Sequence, residues 1–549
     1  MRDGRGNAAY GGGVSGPEDR GNMGIYVNRG NGNFASAVSS QIYVDKTGML
    51  EYTNQVLDTE QRYICNSRPR RFGKSMAAGM LAAYYGRGCD SRDLFEGLTI
   101  AQKDSFEKHL NQYDVIHLDI AYLLVQKKSA LETVDFIQKS VIEELKSIYP
   151  GILSGDICEL PLAMSAVHDA VGAGFVVIID EWDAVFRENI FDEQGQQAYI
   201  QLLRGLFKGE QSKDFIRLAY LTGILPVKKY KNESSLNNFR EFTMLSPKQI
   251  SEYIGFTEQE VQELCRIYHM DFTEAARWYD GYSFRKVKHV YNPSAVVNAM
   301  LDGEYDNYWT NTASYESLKD YIVMNFDGLR DSVVQMLAGG RYPVDTKTFQ
   351  NDMTSFSGRD DVLTVLIHLG YLAYDAECRE AYIPNEEVRS VFAKAVEGTD
   401  WAPVIQAIRD SDRLLWATWN KDADAVAGSL DKVHMENTSI LQYNDENSLS
   451  CVITLAYYNA VNEYILLREL PTGKGYADIV FLPRKHSGKP AMVIELKYDK
   501  SAESAIGQIR EKKYPETLKE YRGRLLLVGI NYRKEDKKHS CIIEEWEKE

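Results

Sequence analysis

The segment that most constrains this chain runs from Arg62 to Tyr85. The short run Arg62–Asn66 reads as a strand and Ser75–Tyr85 as a helix, and Ser67-Arg68-Pro69-Arg70-Arg71-Phe72-Gly73-Lys74-Ser75 lies between them. A loop that leads a strand into a helix N-terminus aims backbone N–H groups at its occupant, and such a place favours anions. Gly73, Lys74 and Ser75 supply what a polyphosphate requires: close backbone approach, an ammonium that reaches the phosphates, and a hydroxyl for Mg²⁺. The pattern G-x-x-x-x-G-K-[ST] calls for glycine where Arg68 stands, so the match is incomplete.

A second element strengthens the first. Val176-Val177-Ile178-Ile179 is an apolar strand that ends in Asp180 and Glu181. One carboxylate placed there can hold the hydrated metal of a nucleotide, and the next can orient an attacking water. Acids also end strands merely to meet solvent, so the pair counts only together with the loop. Thr222, after the strand Phe215–Leu221, is placed to sense a γ-phosphate. The candidate nucleotide-binding residues are therefore Arg70, Arg71, Phe72, Gly73, Lys74, Ser75, Asp180 and Thr222, with Ser75 and Asp180 on the metal and Glu181 catalytic. ATP and Mg²⁺ are the expected cofactors.

Further strand and helix signals surround these, with strands at Val115–Ile120 and Phe175–Ile179 and a helix at Thr133–Ile148. Such alternation implies a largely parallel sheet covered on both faces. From Ser246 to Gly398 the pattern turns to helix-length segments, among them Pro247–Gly255, Glu258–Tyr268 and Asp360–Leu369. A helical linker, 399–444, leads to renewed alternation: a helix at Ser448–Val461, strands at Tyr476–Leu482 and Ala491–Tyr498, a helix at Ser504–Glu520 and a strand at Arg524–Ile530. The expected plan is a Gly-rich disordered tail (1–34), an α/β domain (35–245), a mostly helical domain (246–398), the linker, and a second α/β domain (445–549). The tail assignment rests on ten glycines in the first 33 residues and little apolar material to offset chain entropy.

In the last domain Asp478 stands inside the strand-like run Gly475-Tyr476-Ala477-Asp478-Ile479-Val480-Phe481, and Glu495 and Lys497 lie in Val493-Ile494-Glu495-Leu496-Lys497. Alternation along a strand puts Glu495 and Lys497 on one face, and a hairpin-like return would bring Asp478 beside them. Two carboxylates that hold Mg²⁺ and a lysine that assists the water suit phosphodiester hydrolysis. The letters D…E-x-K are common, and a solvent-facing strand edge gives the same ones. Against that, both strands are otherwise apolar, where unpaired charge is costly. Asp478, Glu495 and Lys497 are the candidate catalytic residues, with Asp478 and Glu495 as metal ligands.

Charge is informative only when divided. The net charge of −16 argues against a strong general grip on polyanions. Residues 471–549, however, hold 17 basic and 13 acidic side chains, a balance of +4 that leaves −20 for the rest. Lys512, Lys513, Arg522, Arg524, Arg533, Lys534, Lys537 and Lys538 could meet phosphates of DNA or RNA, or simply form a solvated face. The seven cysteines are scattered and never spaced C-x-x-C, the nine histidines include no H-E-x-x-H, and neither a signal peptide nor a bilayer-length apolar run occurs. A cytoplasmic location, no membrane partner and possible homo-oligomerisation are expected.

Taken with Tyr43-Val44-Asp45-Lys46-Thr47, Ile179-Asp180-Glu181-Trp182-Asp183, Leu221-Thr222-Gly223, Leu236-Asn237-Asn238-Phe239 and Trp278-Tyr279-Asp280-Gly281-Tyr282, the Arg68–Ser75 run resembles the AAA-ATPase-like family of bacterial proteins that carry a C-terminal PD-(D/E)XK nuclease-like domain. The resemblance covers nearly everything after about residue 35. It implies a multidomain α/β protein: a P-loop NTPase parallel sheet with helices on both faces, a mostly helical middle domain and a restriction-endonuclease-like C-terminal domain. It makes Arg68 regular, because the family carries R-P-R-R-F-G-K there. It also implies an extra acid at Glu446 and a polar contribution from a helix with Gln508, Lys512 and Tyr514. The implied activity is an ATPase coupled to a Mg²⁺-dependent nuclease. The alternative left open is a nucleotide-dependent switch or scaffold whose nuclease-like domain binds nucleic acid or protein without cleaving.

Overall fold

The computed structural model describes residues 24–546 except 154, 189–191, 228, 231–232, 235, 310–314, 325, 338, 350–355, 398–400, 438–445, 473–474, 484–488 and 513–523. Residues up to Phe256 make most of one body, and those from Thr257 onward make most of a second.

The first body is built on strands β1 (Tyr63–Ser67), β2 (Asp114–Asp119), β3 (Phe175–Asp180), β4 (Ile216–Gly223) and β5 (Arg240–Phe242). They lie in the order β2-β3-β4-β1-β5, and every neighbouring pair is parallel. Every residue of β3 is buried, as a continuous apolar run in a covered parallel sheet requires. Around the sheet run α1 (Lys74–Tyr85), α2 (Ala130–Ile148), α3 (Leu160–Val171) and α4 (Glu193–Phe207). On α2 the buried positions Val134, Ile137, Val141, Ile142 and Leu145 recur at helical spacing. They share a core with Ile116, Leu118, Val177 and Ile179 of the sheet and Met164, Val167 and Leu203 of α3 and α4. From β1 the chain first serves one side of the sheet, through β2, and only later the other, through β5. Ligands bind beyond the strand C-termini at such a reversal.

Two sequence expectations change in this body. Residues 24–34, assigned to the tail, are docked: Val27 bridges Ile116 of edge strand β2, and Glu144 accepts from the backbone N–H groups of Ile25, Tyr26 and Val27 at 2.9, 3.0 and 2.8 Å. A carboxylate on α2 thus substitutes for the partners that a short apolar sequence could not provide. The helix expected over Pro247–Gly255 is only a 3-10 turn, Lys248–Ile250, because Lys248 and Gly255 take positive φ of 51° and 109°.

The second body begins with helices α5 (Glu258–Tyr268), α6 (Phe272–Tyr279), α7 (Pro293–Asp302), α8 (Arg359–Leu369) and α9 (Glu386–Glu397). A small antiparallel sheet of β6 (Tyr342–Pro343), β7 (Ala373–Asp375) and β8 (Glu380–Tyr382), ordered β6-β8-β7, interrupts them. Strands of two or three residues leave almost no periodic trace in sequence.

Helices α10 (Ala402–Trp419) and α11 (Ala423–Asn437) occupy the expected linker, but they pack on the C-terminal domain. Trp419 Nε1 donates to Tyr464 Oη at 2.6 Å, the Thr418 and Tyr457 hydroxyls are 2.7 Å apart, and Asp431 receives the backbone N–H of His539 at 2.7 Å. Next come α12 (Glu446–Ala456), β9 (Tyr464–Thr472), β10 (Gly475–Pro483), β11 (Ala491–Tyr498), α13 (Ala502–Glu511), β12 (Leu525–Arg533) and β13 (Lys538–Glu545). The sheet runs in chain order, β9 to β13, antiparallel except for β11 and β12. A parallel pair needs a crossover, and α13 lies within it. Ile506 and Ile509 of α13 pack on Val480, Val493, Leu525 and Leu527. The approach is close at Gly529, where a Cβ would stand 2.6 Å from Ala502 O and 2.9 Å from Ile506 Cγ1.

Candidate functional site

The loop after β1 is shaped by backbone more than by side chains. Gly73 has φ +87° with open space around the position of a Cβ, so its conformation, not crowding, calls for glycine. No side chain caps α1, which leaves its first N–H groups for a ligand. Phe72 is fully buried and anchors the loop, whereas Arg70, Arg71 and Ser75 are exposed. Arg68 explains the missing glycine. Its side chain turns inward, and Nη1 donates to Ser67 O at 2.9 Å and Phe242 O at 3.0 Å, tying β1 to β5. Burial lowers its pKa to about 10, and it remains a cation at neutral pH.

Parallel register carries the acids to the same end of the sheet. Asp180 Oδ1 accepts from Thr222 Oγ1 at 2.8 Å and from Glu181 N at 3.0 Å. Lys74 is buried, donates to Pro69 O at 3.0 Å and stands 3.6 Å from Glu181 Oε1. Burial lowers the Lys74 pKa and raises that of Glu181, while each opposes the other's shift. Lys74, Asp180, Glu181 and Thr222 therefore converge from the ends of β3 and β4 and the start of α1.

Two neighbours were not singled out from sequence as site residues. Arg187, in the helical turn Ala184–Glu188, contacts the second Glu181 oxygen and lies 3.1 Å from Asp183 Oδ2. Asp183 in turn accepts the N–H groups of Ile224 and Leu225, just past β4, at 3.0 and 2.8 Å. The four-residue spacing of Asp183 and Arg187 was the available signal.

The second constellation lies on β10 and β11. Ile479 pairs with Ile494, which brings Asp478 alongside Glu495, and Asp478 Oδ2 accepts from Leu496 N at 2.8 Å. Glu495 is fully buried. Its Oε1 receives Lys497 Nζ at 2.9 Å and also Gln508 Nε2 from α13, while Oε2 has no hydrogen-bond partner. Burial first, then the Asp478 carboxylate, push Glu495 up to about 7 against the pull of Lys497. Among the described residues no group of three or more His, Cys, Asp or Glu side chains forms a ready metal cage. Two carboxylates with one open oxygen still suit Mg²⁺, which keeps several waters and takes one or two carboxylates.

Other expected contributors fare differently. The Glu446 side chain, Lys513, Tyr514 and Arg522 fall outside the described residues. Arg524 is paired with Glu545 at 2.7 Å and Arg533 with Asp536 at 2.5 Å, so both basic groups are already partnered. Two motifs of the resemblance are structural: Asp45 holds Thr47 and Thr99 by their N–H and hydroxyl groups, and the backbone carbonyls of Asp280 and Gly281 are held by Asn385 and Tyr382.

Comparison with known proteins agrees with this division. Residues 32–231 match the family model described as Predicted AAA-ATPase, and residues 444–546 match that of the PD-(D/E)XK nuclease superfamily. The chain joins an AAA-ATPase-like domain to a PD-(D/E)XK nuclease-superfamily domain. A curated relative, the uncharacterized protein in vnfD 5'region of Azotobacter chroococcum mcd 1, is 27% identical over 290 residues, 51% of this chain. The match spans about half, 52%, of that protein. Among solved structures, the Aeropyrum pernix ORC2 protein aligns over 66% of this chain and 97% of its own, with 11% identity and a TM-score of 0.31. The C. elegans PCH-2 structure aligns over 76% and 69%, with 11% identity and a TM-score of 0.22. At those scores neither bears on the chemistry of this chain. No helix among the described residues is long and apolar enough to cross a membrane.

Proposed function

We propose that this protein binds and hydrolyses ATP at the β1–α1 loop and cleaves nucleic-acid phosphodiesters at the Asp478–Glu495 site. What carries the reading is one arrangement met twice: a buried lysine held against an acid, Lys74 at 3.6 Å from Glu181 and Lys497 at 2.9 Å from Glu495. Buried ion pairs are weak contributors to stability, because desolvation cancels most of the attraction. Their presence at both sites is better explained by chemistry.

In the ATPase-like domain, Lys74 and the N–H groups of α1 would bind the phosphates. Ser75 and Asp180 would hold Mg²⁺, Glu181 would orient the attacking water, and Thr222 would fix Asp180 through the hydrogen bond already present. In the nuclease-superfamily domain, Asp478 and Glu495 would hold Mg²⁺, which supplies water activation and leaving-group stabilisation. Lys497 would orient the water, and Gln508 would keep the Glu495 carboxylate turned so that its second oxygen faces the ion.

The test is metal-dependent cleavage of plasmid and single-stranded DNA and of RNA, with and without ATP, by wild type and Glu495→Ala. Cleavage that Glu495→Ala abolishes supports the reading. A wild type that binds nucleic acid but cuts none of these substrates under any nucleotide or metal condition would replace it with a non-cleaving scaffold.

A further inference from the structure

The charge network behind Glu181 goes beyond what water activation alone requires. Glu181 has φ +49°, a left-handed conformation uncommon outside glycine and asparagine, so its backbone is held where it would not settle by itself. Its two carboxylate oxygens have different cationic partners, Lys74 on Oε1 and Arg187 on Oε2. Those partners are not equivalent. Lys74 belongs to the phosphate loop, and in the function proposed above it is drawn to the phosphates when nucleotide binds. Arg187 is not free to follow. Its side chain is 6% exposed, and its Nε is ion-paired at 3.1 Å, without hydrogen-bond alignment, to Asp183, itself 1% exposed and fixed by two backbone N–H groups at the end of β4.

We infer that Arg187 is a positioning residue: anchored by Asp183, it holds the Glu181 carboxylate in place after Lys74 has turned to the phosphates. The planar guanidinium can bridge two carboxylates at fixed separation, which an ammonium cannot. The same strand end that carries Thr222 carries the two N–H groups that hold Asp183, so β4 sets the position of both acids, Asp180 through Thr222 and Glu181 through Asp183 and Arg187. This inference rests on Glu181 acting on the water, as proposed above.

The experiment is steady-state ATP hydrolysis by the full-length chain and by Arg187→Ala, Arg187→Lys, Glu181→Gln and Glu181→Gln/Arg187→Ala, with ATP-induced thermal stabilisation as the folding and binding control. Displacing a reacting group by about 1 Å costs about 100-fold, so Arg187→Ala should lower kcat about 100-fold with KM within about twofold. Arg187→Lys, which keeps the charge and loses the bridge, should fall between it and wild type. In the Glu181→Gln background, removal of Arg187 should cost nothing more. An unchanged kcat, a loss expressed in KM, or an equal further loss in the Glu181→Gln background would overturn the inference. If Arg187→Ala does not fold, Arg187→Lys decides on the same split of kcat against KM. Glu181→Gln that hydrolyses like wild type would instead remove the underlying assignment, while a dead Glu181→Gln beside a fully active Arg187→Ala removes only the role given to Arg187.

Discussion

The two lysine–acid sites differ in how they balance their charge. At the ends of β3 and β4, Asp180, Glu181 and Asp183 face two cations, Lys74 and Arg187, and each acid also has an N–H, hydroxyl or cationic partner within the fold. On β10 and β11, Asp478 and Glu495 have Lys497 as the nearest buried cation, and Oε2 of Glu495 is left with no hydrogen-bond partner. Each site leaves one buried carboxylate oxygen without a hydrogen-bond partner, Oδ1 of Asp183 in the first and Oε2 of Glu495 in the second, but in the first the other oxygen of that acid is held by two backbone N–H groups. Both sites hold one more acid than cation, and in the second the deficit falls on the fully buried Glu495, where a proton or a metal ion would meet it. Near neutral pH and without metal, Glu495 is poised between its two protonation states, with its pKa at about 7.

The contrast can be broken most sharply by removing one lysine. Lys74→Ala should abolish ATP binding: stabilisation by ATP, about 2.7 kcal/mol at a hundredfold excess over Kd, should fall to nothing in a thermal melt, while Mg²⁺-dependent stabilisation of the nuclease-superfamily domain persists. A mutant stabilised by ATP as much as wild type would exclude the loop as the phosphate site. The nuclease site depends instead on the approach of α13. Gly529→Val would force a side chain against Ala502 O and Ile506, and overpacking of this kind costs about 1–3 kcal/mol. Urea unfolding should report that loss, and metal-dependent activity should fall with it, since Gln508 rides on the displaced helix. Full stability in Gly529→Val would mean that the helix sits elsewhere.

Smaller effects should appear in the pH dependence of stability, with opposite signs in the two domains. In chelator, folded Glu495 keeps its proton up to about pH 7, whereas in the unfolded chain it releases it near 4.5. The native state then binds more protons, so this group lowers stability as pH rises from about 4.5 to 7, by at most about 1.4 kcal/mol per pH unit. His117 on β2 behaves oppositely. Burial depresses its pKa to about 4 from 6.5, so below pH 6.5 the unfolded chain takes up a proton that the native state refuses. Stability from this group is complete above about 6.5 and is lost as pH falls towards 4. Comparing each wild-type profile with Glu495→Gln and His117→Gln isolates the two slopes, and equal slopes in wild type and variant would dismiss the assignment concerned.

What sequence made legible depends on burial. β3 and β11 are interior, carry unbroken apolar runs and were placed to within a residue, and so were the acids upon them. In the two larger sheets the strands that sequence did not suggest are edges: β5 in the first, β9 and β13 in the last. An edge strand is half solvated, so it tolerates Arg240, Glu241 and Lys538, and charge hides the alternation. In the candidate site the motif residues were readable one by one. Arg187 was not, because its meaning depends on Asp183 and on backbone groups past β4 that only the parallel register brings near.

The packing of α10 and α11 bears on how the C-terminal domain can be isolated. A fragment that begins at the nuclease-superfamily match, near residue 444, would remove the hydrogen-bond partners of Tyr464, Tyr457 and His539 together. It would bare aromatic surface on the sheet and invite aggregation. The natural unit of excision is longer, from about residue 401, and carries its own cover.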